Sequence, residues 1–226
     1  MSRNPSRSRS RRRGLFITFE GIEGSGKSTQ CARLVKRLRE LGYDVLETRE
    51  PGGTPMAERI RTVLLAHPSD TAGGEQVLAG TEALLILAAR SQHLTHVVKP
   101  ALQHGVLVVC DRFADSTLAY QGYGRGLAMP SLERLNRWVT RGLTPDLTLL
   151  FDCPVSMGLL RRRREADQNR LDDEAREFHE RVRQGFLALA RRHPRRIRVL
   201  DGRGDPDAIA AQVEAIVLKC LKRRRP

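Results

Sequence analysis

Aromatic residues make up only 4% of this chain of 226 residues. So few rings leave few platforms on which unpaired bases could stack, which counts against a single-strand nucleic-acid binder. No apolar run approaches the ~20 residues of a membrane span. The basic start leads into a strand-like stretch with no small-residue cleavage site, so no secretory signal is expected. Paired cysteines are missing as well. Cys31, Cys110, Cys153 and Cys220 are scattered, with no C-x-x-C among them; this argues against zinc and reads as free thiols in a reducing cytoplasm. Acidic residues are absent from both ends. Residues 1–13 carry six arginines and residues 219–226 carry five Lys/Arg. Of the 40 basic residues, 29 remain between these tails against 26 acidic ones, so most of the net +14 lies at the ends and the body is only about +3. A basic groove for specific nucleic-acid recognition is therefore not expected, although the tails could hold RNA or DNA weakly.

Lysine is also scarce, at five of the 40 Lys+Arg, and one of the five falls in the most informative stretch of the chain. Leu15-Phe16-Ile17-Thr18-Phe19 reads as a buried strand. Gly21, Gly24, Gly26, Lys27 and Ser28 follow in the spacing G-x-x-x-x-G-K-S, and a helical pattern begins at once. Strand, glycine loop, Lys-Ser and helix form the context of a phosphate-binding loop. Glycines let the backbone come close to phosphate oxygens. Its amides and the positive end of the helix then face the anion. Lys27 supplies a compact charge for the β/γ phosphates, and Ser28 a hydroxyl for Mg²⁺.

Along the chain, residues 1–13 read as a disordered basic tail. Helices are expected at about 27–41, 55–65, 75–103 (bent before Pro100), 131–141, 172–192 and 205–221, with another starting at Pro154. Strands are expected near 15, 45, 106, 147 and 197. This is a single α/β domain over 14–221: the P-loop NTPase fold, a five-stranded parallel sheet with helices on both faces. Residues 222–226 form a second basic tail. Arg49 directly follows a strand, where open α/β sheets bind ligands. Arg90, within a mostly apolar helix, either snorkels to solvent or is recruited to a polar ligand. Asp111 ends a strand, where it serves Mg²⁺ or its water shell, or else pairs with a surface cation. The stretch 115–122 is rich in hydrogen-bonding side chains, and its alternative is a capped short helix. Gly122, Gly124 and Gly126 suggest a mobile loop. Trp138 reads as core. Arg161 to Arg164, followed by acids and Asn169-Arg170, suits a lid near 161–174, the plainer alternative being a solvated face.

Several longer stretches carry a resemblance: FEGIEGSGKST at 19–29, TREPGGT at 48–54, AARSQH at 88–93, DRFADSTLAYQGYGRG at 111–126, PDLTLLFD at 145–152 and NRLDDE at 169–174. In this order the chain resembles the thymidylate kinase family, of the bacterial type whose catalytic arginines lie in the lid. The resemblance implies transfer of the ATP γ-phosphoryl group to dTMP, in a cytoplasmic homodimer. It implies that the loop Gly21-Ile22-Glu23-Gly24-Ser25-Gly26-Lys27-Ser28-Thr29 holds ATP, with Mg²⁺ on Ser28 and Asp111, partly through water. Glu23 would touch the sugar 3′-hydroxyl. Arg49 and Arg112, with Ser116, would grip the acceptor phosphate. Arg90 and Thr117 would read thymine, Tyr120 would crowd the 2′ position, and Gln121 would support the site. Arg161, Arg163 or Arg164, together with Arg170, would close on the phosphates. Ile86 would pack on thymine where the family usually has phenylalanine, forgoing a ring–ring contribution of about 0.5–1.5 kcal/mol. Asn169 stands where the family has aspartate.

The chemistry is coherent on its own terms. The attacking phosphate oxygen is already anionic, so no general base is required. The task is to bring two anions together and stabilise the charge on the moving group. Two other readings remain: a P-loop kinase for another nucleotide or nucleoside, and a non-catalytic nucleotide or RNA binder. A GTPase is not expected, because no N-K-x-D motif is present.

Overall fold

The computed structural model describes residues 13–70, 74–164 and 169–224. Most of the expected N-terminal tail and the centre of the expected lid (165–168) lie outside the described residues.

Five short apolar runs become five strands: β1 (Phe16–Glu20), β2 (Val45–Arg49), β3 (Leu107–Asp111), β4 (Leu147–Asp152) and β5 (Ile197–Asp201). All are parallel, in the order β2-β3-β1-β4-β5. β1 is buried along its whole length, as expected for a central strand covered on both faces. The chain leaves β1 towards one edge and later returns to build the other edge. The crevice of the fold therefore lies beyond the carboxyl ends of β1 and its neighbours.

Side chains alternate between the faces. Ile17, Phe19, Val109 and Leu149 pack with Leu34, Val35 and Leu38 of α1 (Lys27–Glu40) and with Val213 and Val217 of α9 (Pro206–Arg224). On the other face Phe16, Val108 and Cys110 meet Leu94, Val98 and Leu102, while Leu150 and Ile197 meet Phe178, Val182 and Phe186 of α8 (Arg176–Arg192). Each such side chain contributes about 1.5–3 kcal/mol on burial. α9 runs on into the segment expected to be a basic tail.

Four other expectations are corrected. The long central helix starts at Ala79, not Glu75, as α3 (Ala79–His93). It widens into a π-helical turn at Leu94–Val98 before α4 (Lys99–Gln103). Pro100 has no N–H to donate back into that turn, which accounts for the change of winding. The stretch after β3 is α5 (Ala114–Thr117) followed by a π-helical segment, Leu118–Gly124, and not a mobile loop. Gly122 and Gly124 are buried within it, and a Cβ on Gly124 would come within 2.7 Å of the Phe178 ring. α6 (Met129–Thr140) buries Leu132, Asn136 and Thr140, and Trp138 is 77% exposed, not core. α8 starts at Arg176 because Asp172 instead accepts from the Asn169 N–H, closing a turn.

Candidate active site

A cavity of about 380 Å³ opens at the carboxyl end of the sheet, within the size range of small-molecule sites. Its floor is the loop between β1 and α1. Gly21, Gly24 and Gly26 all have positive φ. Gly24 is tight as well as left-handed, because a Cβ there would lie 2.0 Å from the carbonyl oxygen of Gly158 on α7 (Val155–Arg162). Lys27 is buried and its Nζ donates to the Ile22 carbonyl at 3.3 Å. Burial and the neighbouring Arg112 lower its pKa; Asp111, Glu23 and Glu20 oppose the shift.

Ser28 donates a short hydrogen bond to Asp111 Oδ2 across the cavity floor. Asp111 Oδ1 is buried with no hydrogen-bond partner. A hydroxyl beside an unsatisfied carboxylate oxygen is the hard-oxygen donor set that suits Mg²⁺. Among the described residues no cluster of three or more acidic, His or Cys side chains could hold a metal alone.

A cationic wall faces this floor. Arg112 has φ 71°; it donates to Gly21 O at 2.9 Å, to Ser116 Oγ at 3.2 Å and to Glu23 Oε1 at 3.0 Å. Its guanidinium lies 5.0 Å from the centre of the Tyr120 ring. Burial works against its charge, but Tyr120, Glu23 and Asp111 hold the pKa above the ordinary arginine value. Glu23 Oε1 also accepts from the Tyr120 hydroxyl at 2.6 Å. Burial alone would raise the Glu23 pKa; Arg112, His179, Lys27 and Tyr120 reverse the shift and keep it ionised. Arg49 sits at the rim on Glu58, at 2.8 Å. Arg61 of α2 (Pro55–Leu65) also lines the cavity, held by the Pro51 carbonyl at 3.0 Å. The sequence reading missed Arg61; only its position two helical turns after TREPGGT could have drawn attention to it.

The far end is apolar with one polar edge. Ile86, Leu64 and Leu65 line it. Arg90 is 1% exposed, so it does not snorkel to solvent. It donates from Nε to Glu50 Oε2 at 2.7 Å and from one terminal nitrogen to Thr117 Oγ1 at 2.8 Å and Asn136 Oδ1 at 2.6 Å. Glu50 also meets His93 Nδ1 at 2.9 Å. Asn136 and Glu50 were not foreseen, since neither stands out from spacing alone. Gln121 also lines the cavity and donates to Glu82 Oε1 at 2.7 Å.

The arginines after β4 divide. Arg161 reaches Gly202 O at 3.0 Å and Gly24 O at 3.4 Å, beside the glycine loop. Arg162 lines the cavity and donates to Asp172 Oδ1 at 2.9 Å. Arg163 and Arg170 are not among the cavity-lining residues. Arg170 instead donates to Leu64 O at 2.5 Å and Glu82 Oε2 at 2.8 Å.

A glycine cradle with a buried lysine, facing arginines that can hold a second anion, defines a P-loop kinase for a phosphorylated acceptor. The sequence pattern of the thymidylate kinase family matches residues 19–213. A thymidylate kinase from Thermomicrobium roseum is 53% identical over 93% of this chain and 97% of its own length. One from Pseudomonas putida is 50% identical over 94% of this chain and 99% of its own. A crystal structure of thymidylate kinase from Ehrlichia chaffeensis superposes with a TM-score of 0.71 at 34% identity, covering 90% of this chain and 98% of that one. This chain belongs to the thymidylate kinase family.

Proposed function

We propose that this chain transfers the γ-phosphoryl group of ATP to dTMP, giving dTDP and ADP. The observation that carries the reading is that Lys27 and the Ser28–Asp111 pair share one cavity with Arg112 and Arg90. A donor triphosphate on the glycine loop and an acceptor monophosphate on the arginines would meet between them. Lys27 and Arg161 neutralise the donor. Ser28 and Asp111 would hold Mg²⁺, which would supply charge neutralisation to the donor phosphates. Arg49, Arg112 and Ser116 orient the acceptor phosphate, whose oxygen attacks γ-phosphorus. Glu23 and Tyr120 border the sugar. Arg90 and Thr117 present donors to the base edge while Ile86 packs on its face. Arg163 or Arg164 closes over the phosphates and excludes water.

The test is a coupled ADP-release assay with a panel of monophosphates. We expect dTMP to be preferred over dUMP, CMP and dGMP by at least tenfold in kcat/KM. Equal or better use of another acceptor would refute the assignment, and ADP release independent of any acceptor would point to a bare ATPase. We read the enzyme as a cytoplasmic homodimer, as in the family it resembles; pairing of subunits is supported by apolar side chains exposed on the adjoining helices α2, α3 and α6: Met56, Val63, Leu84, Leu135 and Trp138.

A further inference from the structure

Glu20, the last residue of β1, has no solvent exposure. Burying a carboxyl group is unfavourable unless its oxygens are satisfied, and the transfer just described makes no use of it. Both oxygens are spent on the segment that follows β3. Oε1 accepts from the Phe113 N–H at 2.8 Å, and Oε2 from the Ser116 hydroxyl at 2.5 Å.

Arg112 stands directly before Phe113, at φ 71°. An arginine in the left-handed region is disfavoured and persists only where its surroundings hold it. The Arg112 N–H donates to Phe19 O at 2.9 Å. Phe113 then returns to extended backbone at φ −156° before α5 begins. The left-handed residue is thus bracketed by two consecutive residues of β1: the Phe19 carbonyl on its own amide and the Glu20 carboxyl on the next. Ser116 ties the bracket to the side chain, because its Oγ also accepts from the Arg112 guanidinium at 3.2 Å.

We propose that Glu20 is a positioning residue for the acceptor phosphate: by holding the Phe113 amide and the Ser116 hydroxyl, it clamps the turn that keeps Arg112 left-handed and its guanidinium facing the cavity. The proposal rests on the phosphotransfer reading above. The adjacent acid, Asp115, cannot take this part, being committed to Arg196 at 2.6 and 2.8 Å. Burial first, and then the Asp115 charge, push the Glu20 carboxyl up to about 8. Protonation does not undo the clamp, since the carbonyl oxygen of a neutral carboxyl still accepts from the Phe113 amide. Reach, not charge, is what the position demands.

Three variants separate these requirements: Glu20→Gln keeps the reach and removes the titratable carboxyl, Glu20→Asp keeps the carboxyl and loses the reach, and Glu20→Ala loses both. KM for dTMP and for ATP are measured separately, with calorimetric dTMP affinity as a readout independent of turnover. We expect Glu20→Asp and Glu20→Ala to raise the dTMP KM and Kd by about tenfold or more with the ATP KM within about twofold, and Glu20→Gln to stay within about threefold of wild type. A loss of correctly folded protein would lower kcat without moving either KM, so a bland structural role gives a different pattern. Unchanged dTMP affinity in Glu20→Asp, equal rises in both KM values, or a Glu20→Gln variant as poor as Glu20→Ala would each overturn the clamp. A wild-type chain that binds dTMP but transfers nothing would instead sink the reaction, and the calorimetric series would still decide the clamp.

Discussion

Lys27, buried at the cavity floor, and Arg112, half-buried on the facing wall, are both cations, yet their surroundings suit them to different steps. Burial and Arg112 lower the pKa of Lys27, while Asp111, Glu23 and Glu20 oppose the shift. Arg112 is held charged by Glu23, Tyr120 and Asp111. Lys27→Ala should cut kcat by about 10²–10³-fold, the usual loss for one preorganised charge-stabilising group. Arg112→Ala should lose a similar factor, but largely as a raised dTMP KM; steady-state kinetics on both variants checks the split. Glu20 gives a prediction of opposite sign to most carboxylates. Its pKa is raised from 4.5 to about 8 in the folded chain, so the folded state binds more protons than the unfolded one between those values. Its contribution to stability is complete below pH 4.5 and is lost as pH rises through 8. Glu20→Gln, which stays neutral, should therefore gain stability relative to wild type between pH 5 and 9, by up to a few kcal/mol. Paired thermal melts across that range cancel the histidines common to both chains, and a flat difference would count against the buried proton. At the base end, Ile86→Phe should tighten dTMP by about 0.5–1.5 kcal/mol by adding a ring against thymine; a titration showing weaker binding would mean that Ile86 does not face the base.

At the scale of elements, the π-helical segment Leu118–Gly124 carries more of the site than its length suggests. It supplies Tyr120 and Gln121, and packs along α8, where Tyr120 meets the rings of Phe178 and Phe186 at 6.1 and 6.0 Å. Gly124 makes that approach possible. Gly124→Ala should cost about 1–3 kcal/mol as an overpacked contact with Phe178 and Val182, whereas Gly42→Ala, at φ 81° with open space around it, should cost only the left-handed penalty of about 1–2 kcal/mol. Urea denaturation of the two variants should also differ in kind, with dTMP affinity falling only in Gly124→Ala. Nothing in residues 118–124 announced this geometry. Winding by one extra residue per turn leaves the composition unchanged, and glycines that read as flexibility turn out to be close-packing positions. The strands, α1, α2 and all of α8 but its starting point were legible because continuous apolar runs and 3.6-residue spacing leave little choice. α6 was misphased for a specific reason. Leu132, Leu135 and Trp138 offer one apolar stripe, but the buried positions are Leu132, Asn136 and Thr140. Polar Asn136 is drawn inward by Arg90, a partner 46 residues away that no local pattern reveals.

At the scale of the molecule, five parallel strands and a glycine loop were foreseeable, but the strand order was not. That order places the ends of β1, β2 and β3 side by side, which brings the glycine loop, Arg49 and the Asp111-Arg112 pair to one rim. It also leaves α3 between α2 and α6 on the outside of the site, and there the misphased Trp138 acquires a meaning. Leu84, Leu135 and Trp138 are exposed on α3 and α6, and a solvent-facing tryptophan beside leucines is the usual composition of a buried interface centre. In the proposed homodimer this face would pair with its own copy. The same α6 carries Asn136, turned inward onto the buried Arg90, proposed above to read the base, at 2.6 Å. Association should therefore steady Arg90 through α6, linking assembly to base binding but not to the glycine loop. Trp138→Arg places a charge at the centre of the face without touching the cavity. We expect sedimentation equilibrium to show a monomer for this variant and a dimer for wild type, with a dTMP KM raised about three- to tenfold and an ATP KM unchanged. A variant that stays dimeric would move the interface elsewhere. A clean monomer with wild-type dTMP KM would mean that Arg90 is held firmly enough by Glu50, Thr117 and Asn136 within one subunit.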